Sequence, residues 1–266
     1  MASSQRPTIA DLRALRGKRQ LSMLRVETLD EAQAAQQAGI DMLSVPPALL
    51  GPAFREAAPR CFAVPGLEYG DYVTAEEYLR AAFAAMRAGG DAVYCAASMG
   101  IVRRLRDEGI PVCGHSGLIP SQATWTGGFK AVGRTLESAL LVWRQVKALE
   151  DAGAFAAEIE VVPAEVASLI SARTSLLLIS MGAGSGCDAQ YLFATDVLGS
   201  NRGHVPRHAR VYRNFAAEYA RLQQERVAAF REYKADVDSG AYPAPAHTVA
   251  VDPAVLAQFT QALQAE

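Results

Sequence analysis

The sequence lacks the features of a membrane-bound, exported or nucleic-acid-binding protein. Its 26 Lys and Arg residues nearly balance 28 Asp and Glu, for a net charge of −2, so no charge excess attracts nucleic acid or an anionic membrane surface. No apolar run reaches the roughly 18 residues of a membrane-spanning helix, and the opening MASSQRPTIADLRALRG has no apolar signal core. We therefore expect a cytoplasmic protein without nucleic-acid or membrane partners.

Potential metal ligands are also scarce. The four cysteines form no CxxC pair and lie in or beside apolar stretches, at Cys61, Cys95, Cys113 and Cys187. This pattern favours buried, reduced thiols over disulfides or a zinc site. His204 and His208 have i, i+4 spacing, but Pro206 between them weakens a helical ligand pair. The spacing predicts no metal site.

What the sequence does contain is a regular alternation of apolar runs and helical stretches. The predicted strands are Gln20–Val26, Ile40–Val45, Cys61–Val64, Ala92–Ala97, Pro111–His115, Ala154–Val162 and Ser175–Met181. The predicted helices between them are Leu29–Ala38, Thr74–Arg87, Val102–Glu108, Thr135–Ala152 and Pro163–Arg173. Alternation of this kind is typical of a parallel sheet covered by helices. Seven or eight units in roughly 200 residues favour an α/β fold of the (β/α)₈ TIM-barrel type over an open doubly wound sheet.

The character of the chain changes after Gly203. A long charged helix is predicted over Phe215–Asp238, and a short one near Pro253–Gln264. Basic and acidic residues alternate along the long helix, which favours a solvated face over a nucleic-acid patch. We predict one barrel domain covering residues 1–266, with a C-terminal helical extension that packs on the barrel or on a neighbouring subunit.

In such barrels the reacting groups lie at the carboxyl ends of the strands. The ends here offer Arg25, Glu27, Pro46, Pro47, Glu68, Tyr94–Ser98, His115, Ser116, Glu158 or Glu160, and Gly182–Gly184. Glu160 lies in the apolar segment AAEIEVVP, where burial would raise its pKa and make it a usable base; a structural Glu–Arg pair is the alternative. His115 ends PVCGH and is either a catalytic or a structural histidine. The MGAG segment lacks a full GxGxxG, so it is weak support for nucleotide or phosphate binding.

Several segments together resemble the ketopantoate hydroxymethyltransferase family. They are TIADLRALRGKRQ (8–20), MRAGGDAVY (86–94), PVCGHSGLIPSQ (111–122), GGFKAVGR (127–134), EVVPAEVA (160–167), MGAG (181–184), GHVPRHAR (203–210) and SGAYP (239–243). The resemblance implies a barrel of the phosphoenolpyruvate/pyruvate superfamily and a large homo-oligomer. It also implies Mg²⁺ that holds a 2-oxo acid and methylenetetrahydrofolate that donates a hydroxymethyl group. His115 matches the family's substrate-contacting His, and Glu160 matches its proposed proton-transfer Glu.

The sequence departs from the family where metal and substrate bind. The family's Gly-Asp-Ser after the second strand is Val45-Pro46-Pro47 here, and the metal Asp of the third strand falls on or near Gly66. The fourth strand's Lys-Ile-Glu is Tyr94-Cys95-Ala96, and the block after the second strand is reduced to Ala48–Arg60. Because Pro and Gly offer no carboxylate, tight Mg²⁺ binding is not expected. The acidic Glu68 and Asp71 are substitute ligands or solvent-facing loop residues.

Two hypotheses follow. The first is an enzyme performing aldol-type C–C bond or α-proton-transfer chemistry on a small 2-oxo or carboxylic acid, without the family's Mg²⁺ site. Its predicted catalytic residues are Glu160 and His115, and its predicted substrate-binding residues are Arg25, Tyr94, Ser98 and Gly182. Arg25 would supply the positive charge that the metal provides in the family. The second is a non-catalytic barrel that serves as a binding or assembly subunit, an interpretation favoured by the shortened second unit and the missing ligands.

Overall fold

The computed structural model describes residues 6–265 and contains a closed barrel of eight parallel strands in chain order. The strands are β1 (Leu21–Arg25), β2 (Met42–Val45), β3 (Phe62–Leu67), β4 (Val93–Cys95), β5 (Val112–Gly117), β6 (Ala156–Glu160), β7 (Leu177–Met181) and β8 (Ala189–Phe193). Parallel pairing of β1 with β8 closes the barrel, with Met23 opposite Tyr191 and Arg25 opposite Phe193. The predicted (β/α)₈ fold is confirmed.

Helices cover the outside of this sheet. Those up to residue 198 are α1 (Ile9–Ala14), α2 (Leu29–Ala38), α3 (Pro52–Ala57), α4 (Ala75–Arg87), α5 (Met99–Asp107), α6 (Ala123–Thr126), α7 (Leu136–Asp151), α8 (Ala164–Ser171) and α9 (Ala194–Leu198). Thr74 and Glu77 form a capping box at the start of α4, and Thr8 and Asp11 form one at α1. Local hydrogen bonding therefore fixes where these two helices begin.

The barrel interior is divided into an apolar and a polar part. Phe62 and Phe155 meet edge to face, with ring centroids 5.9 Å apart, within a buried cluster that also contains Met23 and Met42. Leu12 of α1 belongs to the same cluster. Polar residues occur at or near the carboxyl ends of several strands instead. This division leaves room for a site at one end of the barrel.

Seven of the eight strands match predicted ones, and the cysteines are free and buried as expected. The eighth strand, β8, was missed because it follows β7 after a short loop rather than after a helix. The shortened segment after β2 keeps a 3₁₀ turn at Pro47–Leu49 and the short helix α3, whose Phe54 is fully buried. This βα unit is therefore reduced but still packed.

The chain divides into two compact units, one up to Arg213 and one from Asn214 onward. The second unit contains the helices α10 (Phe215–Ser239) and α11 (Pro253–Ala265), close to the predicted bounds. The single domain over 1–266 stays a prediction. Within residues 6–265, no helix combines the length and the apolar character needed to span a membrane.

Candidate active site

A cavity of about 360 Å³ opens at the carboxyl ends of the barrel strands. Its lining comes from every strand except β3 and from the segments that follow β1, β3 and β5: Arg25, Glu27, Ser44, Glu68, Tyr94, His115, Pro120, Glu158, Glu160, Met181, Tyr191 and Phe193. Arg25, Glu160, Met181 and Phe193 are each the last residue of their strand. The cavity thus lies where barrel enzymes hold their reacting groups.

Strand register brings the acidic residues and the histidine together. His115 on β5 pairs with Glu158 on β6, and Gly117 pairs with Glu160. Because side chains alternate along a strand, Glu158 and Glu160 point to the same face of β6. The pairing therefore sets one imidazole beside two carboxyl groups.

These side chains form a compact cluster. The Nε2 atom of His115 lies 3.1 Å from Oε2 of Glu160, and the Tyr94 hydroxyl is hydrogen-bonded to Nδ1. Potential ligand atoms of His115, Glu158 and Glu160 all lie within 4.8 Å of one another. Nε2 is buried, and its contact with Glu160 is not aligned as a hydrogen bond; among residues 6–265 it has no aligned partner. Tyr94 thus orients the ring and leaves Nε2 able to bond a substrate oxygen.

Three side chains of the cluster, Glu158, His115 and Tyr94, have raised pKa values. Burial, reinforced by the negative Glu160, raises the pKa of Glu158 to about 7, although His115 and Tyr94 oppose the shift. Burial disfavours a charged His115, but the attraction of Glu158 and Glu160 outweighs it and raises the pKa of His115. Burial and then the charge of Glu158 raise the pKa of Tyr94. Because these groups interact, their protons titrate as a coupled set.

Arg25 provides the positive charge of the cavity lining. Its Nε lies 2.7 Å from Oε1 of Glu27, and its Nη1 lies 3.4 Å from Oε1 of Glu68. Burial opposes the charged form, but the hydrogen bond and charge of Glu27 outweigh it and raise the pKa of Arg25. The guanidinium therefore stays charged and is held in place at the end of β1.

The positions that the resemblance pairs with the family's metal ligands carry no acidic side chain. Pro46 follows β2 and Gly66 lies in β3, so neither offers a carboxylate. A Cβ atom at Gly66 would lie 2.9 Å from Oε1 of Glu68 and 3.5 Å from Nη1 of Arg25. The Arg25–Glu68 ion pair thus fills the space that an acidic side chain at position 66 would enter.

Within residues 6–265, one group could offer three ligands to a metal ion: His115, Glu158 and Glu160. No spacing pattern in the sequence indicates this group, because its three residues come from two different strands. Its imidazole nitrogen suits Mg²⁺ poorly, since that ion prefers an octahedral shell of oxygens. We therefore assign no catalytic step to Mg²⁺.

The structure brings together four of the six predicted site residues, Arg25, Tyr94, His115 and Glu160. It does not bring the other two to this cavity. Ser98 precedes α5 as its N-cap residue, and Gly182 lines a second cavity, where it packs against the ring of His208. The functional roles of all six remain predictions.

Three polar residues that line the first cavity are not among the six predicted site residues. Tyr191 lies on strand β8, which the sequence does not predict, and it lines the cavity together with Ser44 of β2. No local pattern singles out either residue. Glu158 was considered only as an alternative to Glu160, although the two-residue spacing on one strand already indicates that both face the same way.

Known proteins with similar sequences agree with this architecture. The sequence model of the family described as ketopantoate hydroxymethyltransferase matches residues 48–245. A 3-methyl-2-oxobutanoate hydroxymethyltransferase of Kosmotoga olearia is 34% identical over 254 residues, which cover 86% of this chain and 92% of that protein. The enzyme of the same name from Cronobacter sakazakii is 37% identical over 199 residues, covering 74% and 73%.

Among solved structures, the phosphoenolpyruvate phosphomutase of Streptomyces platensis subsp. rosaceus superimposes with a TM-score of 0.52. It is 14% identical in sequence, and the match covers 97% of this chain and 96% of that one. At this identity the likeness supports the barrel fold alone. The sequence matches go further, since they span most of both chains at more than a third identity: the chain belongs to the ketopantoate hydroxymethyltransferase family.

Proposed function

We propose that this protein is an enzyme that performs aldol-type or α-proton-transfer chemistry on a small 2-oxo acid, without the family's Mg²⁺ site. The observation that carries the proposal is the position of Arg25, whose Nη1 lies 3.5 Å from a Cβ atom built at Gly66. This distance supports a permanent cation beside the position that the family resemblance pairs, at or near Gly66, with the third-strand metal ligand. A preorganised cation can stabilise the negative charge of an enolate.

The reaction begins with removal of a proton from the carbon next to the keto group. Glu160 accepts this proton as the C–H bond breaks, and the electron pair moves onto the keto oxygen. Arg25 and the Nε2 atom of His115 bind the oxygens of the acid and stabilise the charge that develops there. Tyr94 holds His115 through Nδ1. The enolate carbon then attacks a one-carbon unit at the oxidation level of formaldehyde. The C–C bond forms as the C=O π bond of that unit breaks, and the oxygen takes the proton held by Glu160, which leaves a hydroxymethyl group. Methylenetetrahydrofolate would supply this unit when water replaces its two C–N bonds and tetrahydrofolate is released.

The names of the similar proteins suggest the reactants. We propose 3-methyl-2-oxobutanoate as the first acid to test. Methylenetetrahydrofolate is the proposed donor, on the strength of the family resemblance. The protein is proposed to act in the cytoplasm as a homo-oligomer. The four free, buried cysteines support the first point, and the family resemblance supports the second.

Calorimetric titration of chelator-treated protein with 3-methyl-2-oxobutanoate, with and without added Mg²⁺, tests the proposal. We expect saturable binding with the same affinity in both conditions. Binding that requires Mg²⁺ would overturn the metal-free part, because it would mean that other ligands have rebuilt the site. No binding in either condition would favour the non-catalytic barrel.

A further inference from the structure

A second cavity, of about 410 Å³, lies beside the first and has a different character. The two cavities contact consecutive residues of the chain: the first contacts Glu160 and Met181, and the second contacts Val161 and Gly182. The charged side chains that line the second cavity are Arg134 and Arg207, with no acidic residue among its lining. Its wall is therefore electropositive.

Within the part of the chain that the structure describes, neither arginine has a carboxylate partner that would neutralise it. Both are exposed, and among residues 6–265 neither forms an ion pair. Arginine residues that serve only to support a fold are commonly paired, as Arg55 is with Asp91 in this protein. Two unpaired guanidinium groups at one cavity are suited to bind an anion between them.

Close packing of glycines shapes this cavity. A Cβ atom at Gly184 would lie 2.4 Å from Cβ of Ala164, and one at Gly133 would lie 3.3 Å from Cδ of Pro163. Both glycines adopt positive φ angles, of 83° and 103°. The loops that carry Arg134 and the MGAG segment are thereby fixed against the start of α8.

The backbone is also strained at this point. Val161 adopts a φ of 48°, a left-handed conformation that is costly for a β-branched residue, and it is the one non-glycine residue with positive φ among residues 6–265. It lies directly after Glu160 and lines the second cavity. Strain of this kind persists where the surrounding structure enforces it, often next to a functional site.

We propose that the second cavity binds an anionic group, a phosphate or a carboxylate, of the second reactant. Arg134 and Arg207 bind the anion, and the adjoining strand ends β6 and β7 direct the rest of that molecule toward Glu160. The identification of the bound molecule as the second reactant rests on the proposed function. The binding of an anion in this cavity does not depend on the proposed function.

The experiment titrates the full-length protein with inorganic phosphate, followed by ³¹P line broadening, and separately with glutarate, followed by saturation-transfer difference ¹H NMR. We expect saturable binding of at least one of the two anions. The variants Arg134→Gln and Arg207→Gln should each weaken it by about tenfold, since each removes a charge-assisted contact. The matched variant Arg202→Gln, in the same exposed loop as Arg207 but outside the cavity lining, should bind within about twofold of the parent.

The outcomes separate the sources of the anion and the two proposals. Binding of phosphate alone identifies a phosphorylated reactant, and binding of glutarate alone identifies a carboxylate-bearing one. Failure to bind either anion, or equal binding by the double variant Arg134→Gln/Arg207→Gln, overturns the site. Because 3-methyl-2-oxobutanoate is itself a carboxylate, its titration is assigned to the first cavity by the variant Arg25→Gln: the double variant should keep the binding that Arg25→Gln removes. Failure of the parent to show that binding counts against the proposed function only.

Discussion

At the scale of single residues, Glu160 and Glu158 have different roles in the cluster that they form with His115. Glu160 ends β6 at the cavity, 3.1 Å from Nε2 of His115, and its side chain is 15% exposed. Glu158 lies two residues earlier on β6 and is 5% exposed, with its pKa raised to about 7. The more exposed carboxyl, of Glu160, can contact a substrate. The more buried one, of Glu158, changes the net charge of the cluster when it gains or loses a proton.

Glu160→Gln should abolish proton removal while leaving substrate binding largely intact. An amide cannot accept the proton, and loss of a general base typically costs about 10²- to 10⁴-fold in rate. Exchange of the C3 proton of 3-methyl-2-oxobutanoate in D₂O, followed by ¹H NMR, measures this step without a one-carbon donor. Glu76→Gln, at a residue on α4 whose side chain is 66% exposed, is the control and should exchange at the parent rate. Undiminished exchange in Glu160→Gln would rule out its role as the base.

Glu158 should make the fold less stable as the pH rises. Between about pH 4.5 and pH 7 its carboxyl is ionised in the unfolded chain and protonated in the folded one, because folding raises its pKa from 4.5 to about 7. The folded state then binds more protons, so the free energy of unfolding falls with increasing pH. The raised pKa of His115 acts in the same direction: its contribution is present below pH 6.5 and is lost as the pH rises through the higher folded value.

Glu158→Gln should therefore flatten the pH dependence of stability. The substitution removes the buried acid and also the negative charge that raises the pKa of His115. Urea unfolding followed by circular dichroism at several pH values from about 5 to 8 gives the slope for the parent, for Glu158→Gln and for the exposed control Glu76→Gln. A slope in Glu158→Gln as steep as that of the control would contradict this account of the cluster.

At the scale of elements, the packing of β5 against α7 depends on a residue without a side chain. Gly114 lies in β5, and a Cβ atom there would lie 2.3 Å from Cδ2 of Leu149, a fully buried residue of α7. Leu149 cannot move aside within this core. The glycine thus allows the helix to approach the strand that carries His115.

Gly114→Ala should lower the free energy of unfolding by about 1–3 kcal/mol, the usual cost of overpacking a core. Gly100→Ala is the matched control, because Gly100 lies in α5, where the nearest atom to an added Cβ is 3.8 Å away. Helix propensity predicts that this control gains up to about 1 kcal/mol. Chemical denaturation of both variants measures the difference; a Gly114→Ala variant as stable as the parent would mean that α7 is not held closely to β5.

The elements also explain why the sequence predicts the fold better than it predicts the site. Seven strands are recognisable because parallel strands buried on both faces are short, continuous apolar runs. The strand β8 contains Gln190 and follows a loop instead of a helix, so neither its composition nor its spacing marks it. Because Tyr191 lies on β8, it is not predicted as a site residue either. The placement of Tyr191 and Ser44 in one cavity lining depends on barrel closure, a long-range event that no local pattern encodes.

The candidate catalytic residues were found by a different route. His115, Glu160 and Arg25 are all predicted from their places at the ends of predicted strands, and the family resemblance adds support for His115 and Glu160. Their grouping with Glu158 and Tyr94 in one cavity depends on strand register and on the direction of side chains in the closed sheet. The local sequence therefore predicts which residues belong to the site. It does not predict the distances between their side chains or the pKa shifts that their contacts cause.

At the scale of the whole molecule, the buried apolar core of the barrel is built from residues that precede the C-terminal unit. The three clusters of buried apolar residues draw their members from the chain up to residue 198. All eight strands and the linings of both cavities also precede Asn214. A chain ending at Arg213 should therefore fold, with a melting temperature within a few degrees of the parent and the same far-ultraviolet signature of a barrel. Loss of cooperative unfolding would show that the barrel needs the second unit.

The C-terminal unit should instead govern self-association. Its helices α10 and α11 contain no buried residue, yet they carry large apolar side chains, among them Phe230, which is 71% exposed, and Phe259, which is 59% exposed. Apolar surface of this kind is stabilised when copies of a chain bury it against one another. Light scattering after size-exclusion chromatography should find the full chain as a homo-oligomer and the chain ending at Arg213 as a smaller species. A monomeric full chain would contradict the proposed oligomer, and equal assembly of both chains would assign the interface to the barrel.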